Sequence, residues 1–387
     1  ALSRKQLNAA VAQLRHALDP QAETTGEIPR FDVALANELY NALLKPVEPG
    51  WKGAASLLAV TGGTLAELPL GVLVTAPTAP PVDPPGQPMF AGYKTVPFLA
   101  RQVAITQLPS VASLPTLRAL PPAGADRKPF VGFGDPVFGP QQNAPAQLAA
   151  AGALTTRGAK LHLRSAPKTE GADSADLAML PPLPDTAEEV RSIARALRAD
   201  PDKDVFIGTA ANEHTVETMT LADRRVIAFA THGLVPGDLN GLTEPALALS
   251  APTLAGGGGD GLLTMDEVLA LKLNADWVVL SACNTAAGNG AGAEAVSGLG
   301  RAFFYAGARA LLVSNWPVET TSARALTTDL FRRQAEDPRL SRAAALQAAE
   351  LALIDGPGLV DPATKTVEFS YAHPIFWAPF SLVGDGA

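Results

Sequence analysis

The sequence contains a single cysteine, Cys283, and His232 is the best placed of its five histidines to act with it. Each follows an uninterrupted apolar run that is typical of a buried strand: residues 226–230 precede the histidine, and residues 277–280 precede the cysteine. If these strands are neighbours in a parallel sheet, both side chains emerge at the same edge. An imidazole lowers the cost of forming a thiolate, which is the nucleophile, and later protonates a leaving amine. The sequence therefore predicts a Cys–His dyad.

The residue after the histidine also suits acyl transfer. Gly233 has no side chain to obstruct its amide, so we expect its N–H and that of Cys283 to form an oxyanion hole. The alternative is a purely structural role, since a lone cysteine in an apolar strand is usually a small buried side chain. One cysteine excludes a disulfide framework and a cysteine-cluster metal site. Hydrolysis by such a dyad requires no metal and no cofactor.

The elements that must position this dyad alternate between apolar strands and helices. Strands are predicted at residues 56–60, 103–106, 130–134, 205–208, 226–230, 277–280 and 310–313. Helices are predicted within 5–48 and at 186–199, 212–221, 293–306 and 320–354, the last of them interrupted around residues 337–338. Strands that are apolar on both faces and alternate with helices indicate an α/β fold with a mainly parallel sheet covered on both sides. In such sheets, functional residues collect at the carboxyl ends of the strands.

Proline and glycine content predicts the domain organisation. The length of 387 residues suits roughly two domains of about 150 residues each. Residues 121–124 have the composition of a linker, so we place a boundary near residue 122 and expect domains at 1–122 and 123–387. Residues 139–180 lack any sustained period and predict a flexible insertion. Its basic side chains would be targets of self-cleavage or part of a solvated loop: Arg157, Lys160, Arg164 and Lys168.

Charge and hydropathy exclude several functions. Thirty basic and 38 acidic residues give a formal net charge of −8, which argues against nucleic-acid binding and against a basic membrane-binding face. No apolar run approaches the ~20 residues of a membrane helix. The first five residues do not resemble a signal peptide and lack an initiator Met, so we expect a processed or excised chain. A single free cysteine favours a cytoplasmic location.

Several segments resemble the CHAT domain, a bacterial branch of the caspase and separase clan of cysteine peptidases. Residues 230–233, Ala-Thr-His-Gly, are similar to its histidine motif, and residues 280–285, Leu-Ser-Ala-Cys-Asn-Thr, are similar to its nucleophile motif. Further similar segments lie at 133–136, 261–264, 300–303, 314–318 and 373–380. The resemblance extends from about residue 35 to the end. The separation of 51 residues between the two motifs also agrees with the roughly 50 residues of caspase-type enzymes.

This resemblance implies a caspase-like α/β/α sandwich with a degenerate caspase-like N-terminal half and a C-terminal protease half. It implies a cysteine endopeptidase of protein or peptide substrates, with Cys283 as nucleophile and His232 as general base and acid. CHAT domains commonly follow TPR repeats, so an upstream TPR-type region or a regulatory partner is expected. Caspases proper carry Gln-Ala-Cys-x-Gly where this chain has Ser-Ala-Cys-Asn-Thr, which argues against caspase specificity.

Position in the family pattern also suggests a specificity pocket made of Asp135, Ser281, Trp316 and Glu319. The two acids would favour Arg or Lys before the cleaved bond, and Trp316 would wall a neighbouring subsite. The alternatives are that Asp135 only forms a turn before Pro136 and that Trp316 only packs in the core. His373 is expected to be structural. Two other functions stay open: a catalytically silent interaction module, and a small-molecule-binding domain with a buried cysteine.

Overall fold

The computed structural model describes residues 2–120, 124, 126–143, 159, 161, 176–282 and 292–387. The helices in these ranges are α1 (Arg4–His16), α2 (Val33–Leu43), α3 (Ser113–Arg118), α4 (Asp185–Ala196), α5 (Pro201–Asp204), α6 (Glu213–Thr218), α7 (Pro252–Ala255), α8 (Met265–Ala270), α9 (Gly292–Ala306), α10 (Thr320–Glu336), α11 (Arg342–Asp355) and α12 (Pro374–Trp377). The strands are β1 (Ser56–Ala59), β2 (Ala104–Gln107), β3 (Lys128–Gly134), β4 (Val205–Ile207), β5 (Arg224–Ala230), β6 (Gly233–Leu234), β7 (Ala246–Ala248), β8 (Leu262–Thr264), β9 (Trp277–Leu280), β10 (Ala310–Ser314), β11 (Leu359–Val360), β12 (Val367–Phe369) and β13 (Phe380–Gly384).

Eight strands form one sheet in the order β1-β2-β13-β10-β9-β5-β3-β4. Neighbouring strands in it run parallel, apart from β13, which is antiparallel to β10. Two small antiparallel sheets, β6-β7-β8 and β11-β12, lie beside it. The prediction of an α/β fold with a mainly parallel sheet is confirmed.

Helices cover both faces of the sheet, which explains why its central strands are apolar throughout. Every residue of β9 and β10 is buried. Val279 faces one hydrophobic core, to which α4, α10 and α11 contribute, while its neighbours Val278 and Leu280 face a second core with α6, α8 and α9. Successive side chains of a strand point to opposite faces, so both faces of β9 need apolar residues.

The first 120 residues join the same sheet. β2 pairs with β13 through Gln107 and Val383, so strands from before and after the predicted boundary are hydrogen-bonded neighbours. Residue 122 itself lies outside the described residues, and the division into domains 1–122 and 123–387 stays a prediction. None of the helices in the described ranges combines the length and apolar character that crossing a membrane requires.

Most of the predicted insertion 139–180 lies outside the described residues, and so do its four basic residues named above. Two described positions of it contact the N-terminal segment. The carbonyl of Ala159 accepts from the amide of Thr25 at 2.9 Å, and the amide of Leu161 donates to the carbonyl of Glu23 at 2.9 Å.

His373 is buried among aromatic rings that belong to the N-terminal part of the core. Its ring centre lies 4.8 Å from that of Tyr93 and 5.1 Å from that of Phe90. Its Nδ1 accepts from the amide of Ile375 at 3.2 Å, which caps α12. Burial lowers the pKa of His373 to about 3, although a hydrogen bond with the backbone of Pro29 acts in the opposite direction. These contacts support the structural role that the sequence predicts.

We expect His373 to make stability fall in acid. The unfolded chain binds a proton at this residue near pH 6.5, whereas the folded chain binds it only near pH 3. Stability therefore falls as the pH drops through this window, by about 2 kcal/mol at pH 5. The measurement is urea unfolding of the wild type and His373→Asn at pH 7 and 5, since asparagine keeps a cap but does not titrate. Parallel losses in the two proteins would contradict the expectation.

Candidate active site

Four neighbouring strands end at the same edge of the sheet. Gly134 of β3 pairs with Ala230 of β5, and Phe229 pairs with Leu280 of β9. Leu280 pairs in turn with Val313 of β10. The strands before His232 and Cys283 are therefore parallel neighbours, which is the condition on which the predicted dyad depends. The residues that follow these strands meet at one carboxyl edge.

His232 is held rigidly just beyond β5. Its carbonyl oxygen accepts from the amide of Ala248 at 2.9 Å, and the hydroxyl of the preceding Thr231 donates to the carbonyl of Ala248. The imidazole is fully buried, and its centre lies 5.4 Å from that of the Phe138 ring. The β6-β7-β8 sheet thus fixes the backbone of His232, while Phe138 restricts the ring.

The imidazole also contacts a backbone carbonyl from a distant part of the chain. Nε2 of His232 lies 2.8 Å from the carbonyl oxygen of Pro181. A carbonyl oxygen can only accept, so Nε2 carries a hydrogen and donates it. In the neutral imidazole, Nδ1 is then the basic nitrogen. The contact with Pro181 therefore selects the tautomer and leaves Nδ1 as the nitrogen that can accept a proton.

The amide of Gly233 points away from the small sheet. Gly233 is directly opposite Leu247 in the antiparallel β6–β7 pair, next to the hydrogen-bonded His232–Ala248 pair. Hydrogen-bonded and non-hydrogen-bonded pairs alternate along an antiparallel ladder, so Gly233–Leu247 is a non-bonded pair. This orientation is compatible with the predicted role of the Gly233 N–H in an oxyanion hole.

Cys283 itself lies outside the described residues, but the two residues before it are well anchored. The amide of Ser281 donates to the carbonyl of Phe229 at 2.9 Å and continues the β5–β9 pairing. Ser281 is buried, and the carbonyl of Ala282 accepts from the hydroxyl of Ser314. The chain therefore enters Cys283 from a fixed position beside β5 and β10.

Asp135 follows β3 at the same edge, in an unusual backbone conformation. Its φ of +47° is left-handed, which a non-glycine residue adopts at some cost and often at functional positions. Its amide donates to the hydroxyl of Thr186 at 2.7 Å. Burial raises the pKa of its carboxyl to about 6; nearby Arg191 lowers the pKa, and Asp185 raises it. Asp135 is thus a partly desolvated acid that follows β3 at the edge of the sheet where His232 follows β5.

Glu319 and Trp316, also predicted for the pocket, have clear structural partners. Glu319 is 3% exposed, and its carboxylate oxygens accept from the amides of Thr321 at 3.0 Å and Ser322 at 2.7 Å, which caps α10. Trp316 is fully buried, and its indole Nε1 donates to the carbonyl of Ile375 at 3.1 Å. Their predicted contacts with substrate stay predictions.

Sequence reasoning missed the contributions of Pro181 and Ser314. Pro181 lies 51 positions before His232 and contributes only a backbone atom, so no side-chain pattern could identify it. Ser314 did offer a signal, because it is the polar residue that ends the apolar strand β10.

Among the described residues, one group of three acids could approach a cation: Glu213, Glu217 and Glu267, whose ligand atoms lie within 4.8 Å of one another. Two of them already have backbone partners. Glu213 accepts from the amide of Gly261 at 2.9 Å, and Glu267 accepts from that of Thr264 at 2.8 Å. These acids belong to α6 and α8, which carry none of the predicted site residues.

The chain matches the CHAT domain over residues 33–385, and it therefore belongs to the CHAT domain family. Its structure is also similar to the crystal structure of the Arg-specific cysteine proteinase gingipain R, with 9% sequence identity and a TM-score of 0.42. That alignment covers 99% of this chain and 74% of the other. No match was found among curated proteins.

Proposed function

We propose that this chain is a cysteine endopeptidase in which Cys283 is the nucleophile and His232 is the general base and acid. The observation that carries the proposal is the placement of His232, buried at the end of β5 with its tautomer set by Pro181. The neighbouring parallel strand β9 leads through two anchored residues to the only cysteine of the chain.

In the proposed reaction, Nδ1 of His232 accepts the thiol proton, and the thiolate of Cys283 attacks the peptide carbonyl. The amides of Gly233 and Cys283 stabilise the oxyanion. The imidazolium then protonates the leaving amine, which departs and leaves a thioester on Cys283. A water molecule gives up a proton to His232 and attacks the thioester, which releases the acid and restores the thiol. No step requires a metal or a cofactor.

We further propose that the substrate carries Arg or Lys before the cleaved bond. Asp135 supports this because it lies at the dyad edge, is partly desolvated, and would pair with a guanidinium or ammonium group. Ser281 would contribute to the same subsite, with Trp316 walling a neighbouring one. Glu319 supports the basic preference less strongly, since its oxygens cap α10. Control by an upstream TPR-type region or partner, also expected, is part of the same proposal.

Cleavage of a fluorogenic peptide library by the wild type and Cys283→Ala tests this function. We expect the wild type to cleave after Arg or Lys and the variant to be inactive. Cleavage after other residues would contradict the assignment of Asp135 and leave the dyad intact. If Cys283→Ala retained the activity, the nucleophile would be wrong. No cleavage by the wild type, with Cys283 also inert to a peptide electrophile, would favour a silent interaction module.

A further inference from the structure

Arg15 connects helix α1 to the turn that follows β10. Helix α1 precedes residue 33, the first residue matched by the CHAT family. The side chain of Arg15 is only 13% exposed, and burial lowers the pKa of its guanidinium. Burying a guanidinium is unfavourable unless specific contacts compensate for the lost hydration.

The guanidinium of Arg15 makes four such contacts. Its Nη1 lies 2.8 Å from the carbonyl oxygen of Asn315 and 3.1 Å from that of Glu67. Its central carbon lies 5.6 Å from the centre of the Trp316 ring, within the range of a cation–π interaction. Its Nη2 lies 3.5 Å from Oδ2 of Asp19. Arg15 therefore holds the first two residues after β10.

The residue before this turn touches the nucleophile segment. Ser314 ends β10, and its hydroxyl donates to the carbonyl of Ala282, the residue that precedes Cys283. Asn315 follows Ser314 directly, so a single peptide bond joins the residue that Arg15 contacts to the serine that contacts Ala282. A continuous path of contacts therefore runs from Arg15 through the turn to Ala282.

The turn after β10 also has contacts that do not involve Arg15. The amide of Asn315 donates to the carbonyl of Pro379 at 2.7 Å, and its side-chain Nδ2 donates to the same oxygen at 2.9 Å. Loss of the arginine should consequently misalign the turn without unfolding it.

We propose that Arg15 is a positioning residue for the nucleophile. By fixing the Asn315 carbonyl and the Trp316 ring, it keeps the Ser314 hydroxyl on Ala282 and so sets the position from which the chain enters Cys283. This inference rests on the proposed peptidase function. It adds that one side chain from a helix ahead of the matched family region controls alignment at the carboxyl edge, so loss of the Arg15 guanidinium lowers turnover although this group does not contact substrate.

The test is a double-mutant cycle on peptide hydrolysis with Arg15→Ala and Ser314→Ala. We expect each variant to lower kcat about tenfold with little change in KM. The kcat of the double variant should be no lower than that of the less active single variant, because both substitutions interrupt the same path. Leu14→Ala is the matched control, since Leu14 is a fully buried residue of α1. It should lower Tm at least as much as Arg15→Ala and leave kcat unchanged.

The proposal would be overturned if the two kcat losses multiplied in the double variant. It would also be overturned if Leu14→Ala lost as much kcat as Arg15→Ala. The rate at which iodoacetamide alkylates Cys283 in the same proteins needs no peptidase activity. We expect this rate to change in Arg15→Ala and Ser314→Ala and to stay at the wild-type value in Leu14→Ala. Equal rates in all variants would overturn the positioning role, whereas a wild type that hydrolyses no peptide would overturn only the proposed function.

Discussion

The His232→Gln variant should hydrolyse peptides about 10³-fold more slowly than the wild type, because removing a general base and acid costs about 10²–10⁴-fold in rate. Glutamine can still donate a hydrogen bond to the carbonyl of Pro181, so the site keeps its packing. It has no group that accepts the thiol proton. The measurement is kcat on the best library peptide at pH 7.5, with Tm recorded for both proteins.

The matched control for His232→Gln is His214→Ala. His214 is an exposed residue of α6 and should leave kcat unchanged. A His232→Gln protein with wild-type Tm and a kcat within about threefold of the wild type would show that this histidine does not transfer protons.

The Asp135→Asn variant should lose about 100-fold in kcat/KM for substrates with arginine before the cleaved bond, since it loses a charge-assisted hydrogen bond worth up to ~3 kcal/mol. A matched substrate with norleucine at that position should change little. In the wild type, the ratio of the two kcat/KM values should rise with pH around pH 6, because the raised pKa of Asp135 keeps it neutral in more acid solution. The ratio should not vary with pH in Asp135→Asn.

Taking a ratio removes every pH effect that acts equally on the two substrates. Asp185→Asn is the control, because Asp185 is exposed and acts on Asp135 only through its charge. It should keep the arginine preference and move the transition to lower pH. An unchanged arginine preference in Asp135→Asn would contradict the pocket assignment.

The residues at the carboxyl edge of the sheet could be predicted from sequence because each strand that leads to this edge is identified by its own apolar run. The run Trp277–Leu280 is apolar on both faces and is followed at once by the polar Ser281. Residues 226–230 are likewise apolar throughout and are followed by Thr231 and His232. Parallel strands bring their carboxyl ends together, so His232 and the residues before Cys283 were predictable neighbours. Asp135 was predictable in the same way from the end of β3.

Other parts of the site depend on tertiary contacts that leave no local pattern. The β6-β7-β8 sheet that anchors His232 consists of strands of two or three residues, too short for a period to show. Glu319 follows a strand as a pocket residue would, and only the structure shows that its oxygens bind the first amides of α10. The contact of Arg15 with Asn315 joins residues 300 positions apart.

Covalent labelling by a peptide electrophile with a C-terminal arginine tests the central claim most directly. Intact mass should show one adduct in the wild type, located on Cys283 by peptide mapping, and none in Cys283→Ala. His232→Gln should be labelled much more slowly, because the thiol loses its base. A Cys283–His232 dyad would be contradicted if His232→Gln were labelled at the wild-type rate. It would also be contradicted if the folded wild type were labelled no faster than its urea-unfolded form.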